Sequence, residues 1–318
     1  MIGLIGDPPD RSVRPQCRVG RQKQPRHYNT GVLEDYVREA LRQSRVTPSR
    51  SRGQHFLIDD AVLAQIISTA QLSGGEAVLE VGTGLGTLTR SLAARVWRVY
   101  TYELDAALVR YLRRYVIPET YNVVLEDYAF TEYELRRVIA LAQEAGRPLK
   151  IVANLPYQIS SAFLHAVANH AAELTLVVVM LQREVARRVM AQAGGQGYSS
   201  FSIYLQTFFS VRGVCDVPAA AFFPVPRVDS AVIALTPLTA DQQPQMADRE
   251  LYFRLVEQVF RRRRKQLINA LALAFPHLGA PGSHDALSAA GISPTARPAS
   301  LSIADFVRLA DIISRTAS

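Results

Sequence analysis

The stretch Ala77–Arg90, AVLEVGTGLGTLTR, decides the fold of this 318-residue chain. A mostly apolar run leads directly into three glycines at alternate positions, and a helix-like segment follows. Glycines at a strand-to-helix turn accept positive φ angles and let a ligand approach the backbone closely. The spacing is GxGxG, whereas dinucleotide-binding turns carry GxGxxG. The stretch therefore predicts a βα unit with a ligand at its turn, and it weighs against a nicotinamide dinucleotide.

Further apolar runs of strand length alternate with helix-length segments along the chain. Together with the run that precedes the glycines, these apolar runs cover residues 77–82, 98–105, 122–128, 150–157 and 174–182. This alternation indicates βαβ units around a largely parallel sheet of the Rossmann-like α/β class. Residues 201–212 and 228–236 lack a helix-length connection, so we expect them to pair as antiparallel edge strands.

Composition divides the chain into three regions. Residues 1–52 are rich in Arg, Gln, Pro and Ser, which predicts a basic, flexible extension with one amphipathic helix at 31–43. Residues 53–238 form the predicted α/β domain. A Pro/Gln/Asp linker at 237–248 leads to a predicted small all-α domain at 249–318.

The net charge of +8 is concentrated at the two ends of the chain. Residues 1–53 carry 11 Arg/Lys and 5 Asp/Glu, a net of +6, and residues 251–318 carry 9 and 4, a net of +5. Residues 54–250 carry the remaining 16 Arg/Lys and 19 Asp/Glu, a net of −3. An acidic centre between basic ends suggests a catalytic body with flanking polyanion contacts, although a solvated charged surface explains the counts equally well.

Two acidic residues stand where the next strands end. Glu103 follows Gly84 by 19 residues, and Asp127 ends the third strand. Ligands of open α/β sheets collect at the carboxyl ends of strands, so a carboxylate there can bind ribose hydroxyls or an adenine amine. Either residue alone is as readily a helix cap. The combination favours a nucleoside cofactor.

The fourth strand ends in Asn154-Leu155-Pro156-Tyr157. The N6 amine of adenine is a poor nucleophile because its lone pair is delocalised into the ring. The Asn154 side-chain oxygen and the Leu155 carbonyl can accept its hydrogens, Pro156 fixes the turn, and Tyr157 offers a face for an extruded base. An Asn-Pro turn with a packed tyrosine is the simpler interpretation of the tetrapeptide alone.

Taken together, the motifs resemble the rRNA adenine N6,N6-dimethyltransferase superfamily, and within it the small-subunit (16S/18S) dimethyladenosine transferases. The tetrapeptide is joined, in the order of that family, by GQHFLID (53–59), LEVGTGLGTLT (79–89), YELD (102–105), QREVA (182–186), FFPVPRVDSAV (222–232), FRRRRKQL (260–267) and a last helix at 297–310. The chain departs from the family at Thr83, where proline is common, and in its longer N-terminal arm.

The resemblance implies an S-adenosyl-L-methionine-dependent methyltransferase domain with a mostly parallel seven-stranded sheet. His55, Leu57 and Gly82 would contact the methionine part of the cofactor beside Gly84. Glu103 would bind its ribose and Asp127 its adenine. It also implies that Asn154 contacts both cofactor and target, and that Phe222 stacks on the target base opposite Tyr157. Stacking on an aromatic ring is worth about 1–3 kcal/mol per base.

Five consecutive cations, Arg261, Arg262, Arg263, Arg264 and Lys265, lie within residues 251–275, which have the periodicity of one helix. Such a block is usually a solvated charge run, but beside an RNA-modifying fold it predicts phosphate contacts that position RNA without reading its sequence. Small-subunit rRNA in a pre-30S particle is then the expected partner.

Three functions are compatible with these motifs. The first is dimethylation of two adjacent adenosines near the 3′ end of 16S rRNA during ribosome biogenesis. The second is the related macrolide-resistance-type 23S rRNA adenine N6-methyltransferase. The third is a non-catalytic transcription or assembly factor that binds nucleic acid. Leu155, the cation block and the 297–310 segment favour the first, and the intact site residues weigh against the third.

Several features are not expected. Cys17 and Cys215 are far apart in sequence and form no metal-ligand pattern, so neither a disulfide nor a metal site is predicted. No apolar run reaches the roughly 18–20 residues of a membrane span. The N-terminus does not have the pattern of a secretory signal, and we expect a cytoplasmic monomer.

Overall fold

The computed structural model describes residues 31–49 and 53–316. Its α-helices are α1 (Val32–Ser44), α2 (Asp60–Thr69), α3 (Thr87–Ala93), α4 (Ala106–Tyr115), α5 (Glu132–Glu144), α6 (Ser160–Asn169), α7 (Arg183–Met190), α8 (Ser200–Phe208), α9 (Arg249–Phe260), α10 (Leu267–Ala274), α11 (Gly279–Ala289) and α12 (Ile303–Thr316). Its strands are β1 (Phe56–Leu57), β2 (Ala77–Val81), β3 (Arg98–Tyr102), β4 (Val123–Glu126), β5 (Leu149–Asn154), β6 (Leu176–Gln182), β7 (Phe209–Val217), β8 (Phe222–Phe223) and β9 (Ser230–Pro237).

A seven-stranded sheet has the order β4-β3-β2-β5-β6-β9-β7. The first five strands run parallel, and β9 pairs antiparallel with both β6 and β7. The predicted Rossmann-like α/β class is therefore confirmed, as is the antiparallel edge. Chain connections reverse direction between β2 and β5, and ligands of open sheets bind at such a switch point.

The central strands are apolar on both faces because helices cover both sides. Leu79 and Val81 of β2 pack with α5 and α6, whereas the preceding Val78 points to the other face and packs with α2 and α3. Each of these three side chains is at most 3% exposed. At roughly 25 cal/mol per Å² of buried apolar area, this two-sided packing is the main stabilisation of the sheet.

The expected strand at 201–212 is wrong in its first half. Residues 200–208 form helix α8, which begins with a reciprocal capping box between Ser199 and Ser202, and only the chain from Phe209 onward is a strand. Ile203 and Leu205 are fully buried, one against the C-terminal helices and the other against the main core. Burial on several sides removes the polar face whose period separates a helix from a strand.

The helix expected at 31–43 is confirmed as α1. Its Leu33, Val37 and Ala40 are buried against the α/β body. This part of the N-terminal extension is therefore packed on the body. Residues 1–30 and 50–52 of the extension lie outside the described residues.

The C-terminal region is helical, as expected. Helices α9 to α12 share a core that also contains Tyr198 and Ile203, so this region packs directly on α8. The single helix expected over 251–275 is wrong: α9 ends at Phe260, residues 261–266 form a turn, and α10 follows. The turn leaves four of the five cations exposed, which relieves the repulsion that one continuous helix would impose. No helix in the described ranges is long and apolar enough to cross a membrane.

Candidate active site

A cavity of about 750 Å³ opens at the carboxyl ends of β2, β3 and β5. It lies at the switch point of the sheet, so the predicted glycine turn, Glu103 and Asn154 all line it. The other predicted site residues on its wall are His55, Leu57, Gly82, Gly84, Leu155, Tyr157 and Phe222. The structure thus brings together all of the predicted catalytic and cofactor-binding residues except Asp127.

Two observations explain why this turn needs glycine: its backbone angles and the atoms packed against it. Gly82 has a φ of 84° and Gly84 a φ of 58°, a region that side chains with a Cβ avoid. A Cβ added to Gly82 would also lie 3.0 Å from Cδ of Pro156 and 3.4 Å from the Asn154 carbonyl oxygen. Glycine at this position lets the turn contact the end of β5.

Glu103 is held at the cavity wall by two backbone amides. Its Oε2 accepts from the Gly84 N–H at 2.9 Å, and its Oε1 accepts from the Asp105 N–H at 2.9 Å. Burial raises the pKa of Glu103, and these hydrogen bonds act in the opposite direction. The carboxylate is therefore oriented before any ligand binds.

A second carboxyl, which the motif search missed, lies beneath the turn. Glu80 is 1% exposed, and its Oε2 accepts from the Thr89 and Thr101 hydroxyls at 2.7 and 2.8 Å. The Thr83 hydroxyl lies 2.6 Å from the Thr101 hydroxyl and donates to it, because the Thr101 proton already points to Glu80. Burial raises the pKa of Glu80 to about 8. The signal in the sequence was a single acid inside the apolar run AVLEV.

Asn154 ends β5 with its side chain at the cavity. Within residues 31–49 and 53–316, its side-chain amide has no hydrogen-bond partner, so a ligand can take both its donor and its acceptor. Leu155 is 1% exposed, and its N–H donates to the Met180 carbonyl at 3.3 Å. This bond continues the β5–β6 ladder to the edge of the site and fixes the Leu155 peptide.

Aromatic groups form the other part of the wall. The Tyr157 hydroxyl lies 2.7 Å from the Ser230 hydroxyl, and burial raises its pKa. The ring nearest to Tyr157 is His55, with centroids 6.4 Å apart and planes 26° from parallel. His55 Nδ1 lies 2.7 Å from the Pro224 carbonyl oxygen, which can only accept, so Nδ1 carries the proton. Phe222 lies on β8, paired with Leu57, and is 1% exposed.

Asp127 stands apart from the other predicted site residues. The structure places it outside the cavity wall, where its Oδ2 accepts from the Arg113 guanidinium at 3.0 Å and its side chain is half exposed. The following residues, Tyr128, Ala129 and Phe130, line the cavity instead.

The basic turn, defined as residues 261–265, is separate from the cavity lining. Arg261 pairs with Glu257 on α9 at 2.7 Å, whereas Arg263, Arg264 and Lys265 are exposed at the surface. Among the residues that the structure describes, there is no group of three or more His, Cys, Asp or Glu side chains that could hold a metal ion.

The fold and the site define a Rossmann-like methyltransferase: a parallel sheet with an antiparallel edge, a GxGxG turn, and a carboxylate at the end of the neighbouring strand. The profile of one family, "Ribosomal RNA adenine dimethylase", matches residues 47–315. This chain belongs to that family.

Curated relatives extend over most of the chain. "Ribosomal RNA small subunit methyltransferase A" of Geobacter metallireducens is 36% identical over 271 residues, which cover 85% of this chain and 96% of the relative. The protein of the same name from Magnetococcus marinus is 34% identical over 278 residues, 86% of this chain and 95% of the relative.

Two solved structures share the fold. The dimethyladenosine transferase of Plasmodium falciparum has a TM-score of 0.65 at 24% identity and covers 80% of this chain and 96% of its own. The 23S rRNA methyltransferase ErmE has a TM-score of 0.61 at 27% identity and covers 81% of this chain and 99% of its own.

Proposed function

We propose that this chain is an S-adenosyl-L-methionine-dependent enzyme that dimethylates N6 of two adjacent adenosines near the 3′ end of small-subunit rRNA during ribosome biogenesis. The observation that carries the proposal is the match, over 95% and 96% of their lengths, to relatives named small-subunit methyltransferases. The Asn154–Tyr157 strand end beside the glycine turn supplies the site that such a reaction needs.

The cofactor half of the cavity fits S-adenosyl-L-methionine, which supplies a methyl group on a positively charged sulfur. Glu103 has an ordered carboxylate for the ribose hydroxyls, and His55, Leu57 and Gly82 form the wall for the methionine part. The Glu103 carboxylate, held at the cavity wall, provides negative potential for a cationic ligand. Of the residues that the family resemblance assigns to the cofactor, only Asp127 lies off the wall.

The target half of the cavity fits an extruded adenine. The Asn154 side-chain oxygen and the Leu155 carbonyl would accept the two hydrogens of the N6 amine and hold its lone pair toward the methyl group. Tyr157 and Phe222 would contact the faces of the base. The chain then accelerates the reaction by positioning and hydrogen bonding, without a strong general base.

In each round a nitrogen–carbon bond would form at N6 while the sulfur–methyl bond of the cofactor breaks, so that S-adenosyl-L-homocysteine leaves and one N–H proton is released to solvent. After the first methyl is added, one hydrogen remains on the amine, so one of the two acceptors still has a partner. The wall at Leu155 must leave room for the first methyl during the second transfer.

The basic turn is proposed to contact phosphates of the RNA, since Arg263, Arg264 and Lys265 are exposed cations. Such contacts add affinity and orientation without sequence information. We further propose a pre-30S particle as the substrate and a cytoplasmic monomer as the working form. Sedimentation of the purified protein alone and with particles tests the last two points.

The decisive experiment uses tritiated S-adenosyl-L-methionine with 30S and 50S particles from cells that lack both modifications. We expect label in 30S only, recovered as N6,N6-dimethyladenosine at two adjacent positions. Label confined to 50S would favour the 23S enzyme, and binding of RNA with no label in either particle would favour a non-catalytic factor. Either result overturns the proposal.

A further inference from the structure

Helix α1 lies against the outside of the cofactor half of the cavity. Its first turn is tied to α2, because the Gly31 and Leu33 N–H groups approach Asp60 Oδ2 at 3.5 and 3.4 Å. Its Val37 and Ala40 are at most 1% exposed and pack in one cluster with Phe56, Leu85 and α4. The helix is therefore fixed at the back of the glycine turn.

One side chain of α1 bonds directly to that turn. The Tyr36 hydroxyl donates to the carbonyl oxygen of Leu85 at 2.9 Å. Leu85 stands between Gly84 and Gly86, both at positive φ, and its side chain is 1% exposed. This bond therefore restrains the same peptide segment whose Gly84 N–H holds Glu103.

The Tyr36 side chain is itself supported from two directions. The Tyr111 hydroxyl donates to the Tyr36 hydroxyl at 3.4 Å, which leaves the Tyr36 proton for Leu85. The Arg90 guanidinium lies 5.6 Å from the centre of the Tyr36 ring. Because Tyr36 is oriented by its neighbours, little side-chain freedom is lost when it bonds the turn.

A second contact of α1 reaches strand β8. The Arg38 guanidinium lies 4.7 Å from the centre of the Phe223 ring, and Phe223 pairs with Phe56 between β1 and β8. Arg38 is also held by Glu34, one turn earlier. Arg38 therefore provides a matched control for Tyr36 on the same helix, because its contact is to β8 and not to the glycine turn.

We propose that Tyr36 is a positioning residue for the cofactor: its hydroxyl fixes the Gly84–Gly86 turn and thereby sets the affinity for S-adenosyl-L-methionine. The inference depends on the proposed cofactor, and it assigns to α1 a role in the methyl-donor site in place of RNA contact. Tyr36 does not touch the reacting atoms, so it affects cofactor affinity and leaves the rate of the bound complex unchanged.

The test compares Tyr36→Phe with wild type by calorimetric titration of S-adenosyl-L-methionine and of S-adenosyl-L-homocysteine. A single neutral hydrogen bond predicts a Kd about three- to tenfold higher for both ligands. At saturating cofactor, kcat should stay within about twofold of wild type. Phenylalanine keeps the ring and its packing, so the variant removes only the hydroxyl.

Three further variants isolate the cause. Tyr133→Phe removes an exposed tyrosine hydroxyl on α5, and Arg42→Ala removes an exposed cation of α1; both should bind and react like wild type. Arg38→Ala should leave the cofactor Kd within about twofold, because its contact is to Phe223. If Arg38→Ala weakens cofactor binding as much as Tyr36→Phe does, the cause is a general loosening of α1 and not loss of the proposed hydrogen bond.

A Kd for Tyr36→Phe equal to that of wild type, or a lower kcat with an unchanged Kd, would overturn the inference while leaving the proposed function intact. Failure of the wild-type protein to bind S-adenosyl-L-methionine would overturn the proposed function itself. The two failures are thus separate observations.

Discussion

The cavity and the basic turn present charged groups in opposite ways. In the cavity, the carboxyl groups of Glu80 and Glu103 are oriented by hydroxyls or backbone amides at 2.7–2.9 Å, and Glu80 is fully buried. In the basic turn, Arg263, Arg264 and Lys265 are exposed to solvent, which screens their charge. We therefore expect the cavity to select its ligand by geometry and the basic turn to attract RNA by charge. One residue removed from the cavity should therefore cost more than one removed from the turn.

The largest effect is expected at Asn154. Asn154→Ala removes an acceptor proposed to hold the target amine, and the loss of one such positioned group lowers kcat by about 10²- to 10³-fold. RNA binding should remain within about twofold, because the proposed phosphate contacts lie in the basic turn. Single-turnover methylation and filter binding on the same particles measure the two quantities. Full activity in this variant would contradict the role assigned to Asn154.

The buried carboxyl of Glu80 predicts a pH-dependent stability. Its pKa is about 8 in the folded chain against 4.5 for the free group. The folded state thus binds the proton more tightly, and the free energy of unfolding falls as pH rises from about 4.5 to about 8. One unit of pKa corresponds to about 1.4 kcal/mol, so the fall amounts to about several kcal/mol.

Glu80→Gln is the matched control for that prediction. The amide is neutral at every pH and keeps an oxygen that can accept from Thr89 and Thr101. Urea unfolding at pH 5, 6, 7 and 8 should give a flatter profile for the variant than for wild type. Parallel profiles would show that Glu80 is ionised in the folded protein at neutral pH.

A smaller effect is expected on cofactor affinity at Glu103. Glu103→Ala removes the proposed ribose contacts and the partner of the Gly84 N–H, so the Kd for S-adenosyl-L-methionine should rise about 10- to 100-fold. Glu144→Ala, an exposed acid at the end of α5, controls for loss of one negative charge. Equal cofactor affinities for these two variants would show that Glu103 does not contribute to cofactor binding.

Substitutions in the basic turn should change the affinity for RNA and its salt dependence. Replacing Arg263, Arg264 and Lys265 by Ala should weaken RNA binding about tenfold at low salt and reduce the slope of log K against log salt by about 2–3. The cofactor Kd should not change. Arg95→Ala with Arg147→Ala removes two exposed cations near the amino ends of β3 and β5 and controls for loss of positive charge outside the basic turn. An unchanged salt slope would place the RNA contacts elsewhere.

The smallest effect is expected at Asp127. Its carboxylate is half exposed and paired with Arg113, and exposed ion pairs contribute only about 0–1 kcal/mol. Asp127→Ala should raise the cofactor Kd by about threefold, well below the effect of Glu103→Ala. A loss of cofactor affinity equal to that of Glu103→Ala would show that Asp127 contacts the adenine and that its ion pair with Arg113 breaks when the cofactor binds.

The sheet and the cavity were predictable because their signals are local and repeated. The GxGxG turn, Glu103 and Asn154 each follow an apolar run, and parallel strands bring their carboxyl ends to one edge. Two elements were not predictable in this way. Helix α8 is buried on several sides and has no polar face to reveal its period, and the turn at 261–266 divides a helical pattern that continues across it.

The contacts of α1 were hidden for another reason. Its amphipathic pattern predicts a helix with a buried face but does not say which surface it covers. The bond from Tyr36 to Leu85 joins positions 49 residues apart, and the bond from Glu80 to Thr101 spans 21 residues. Tertiary contacts such as these set the roles of both residues, and periodicity carries no information about them.

The hydroxyl pair of Thr83 and Thr101 constrains how this chain can change over generations. Thr101→Val would take an acceptor from Thr83 and a donor from Glu80 at once, and buried polar groups left without partners are costly. Thr83→Pro would leave the Thr101 oxygen without its donor. Each replacement is therefore expected to be more harmful alone than together with the other, which couples the two positions. The two positions should vary together among descendants of this chain.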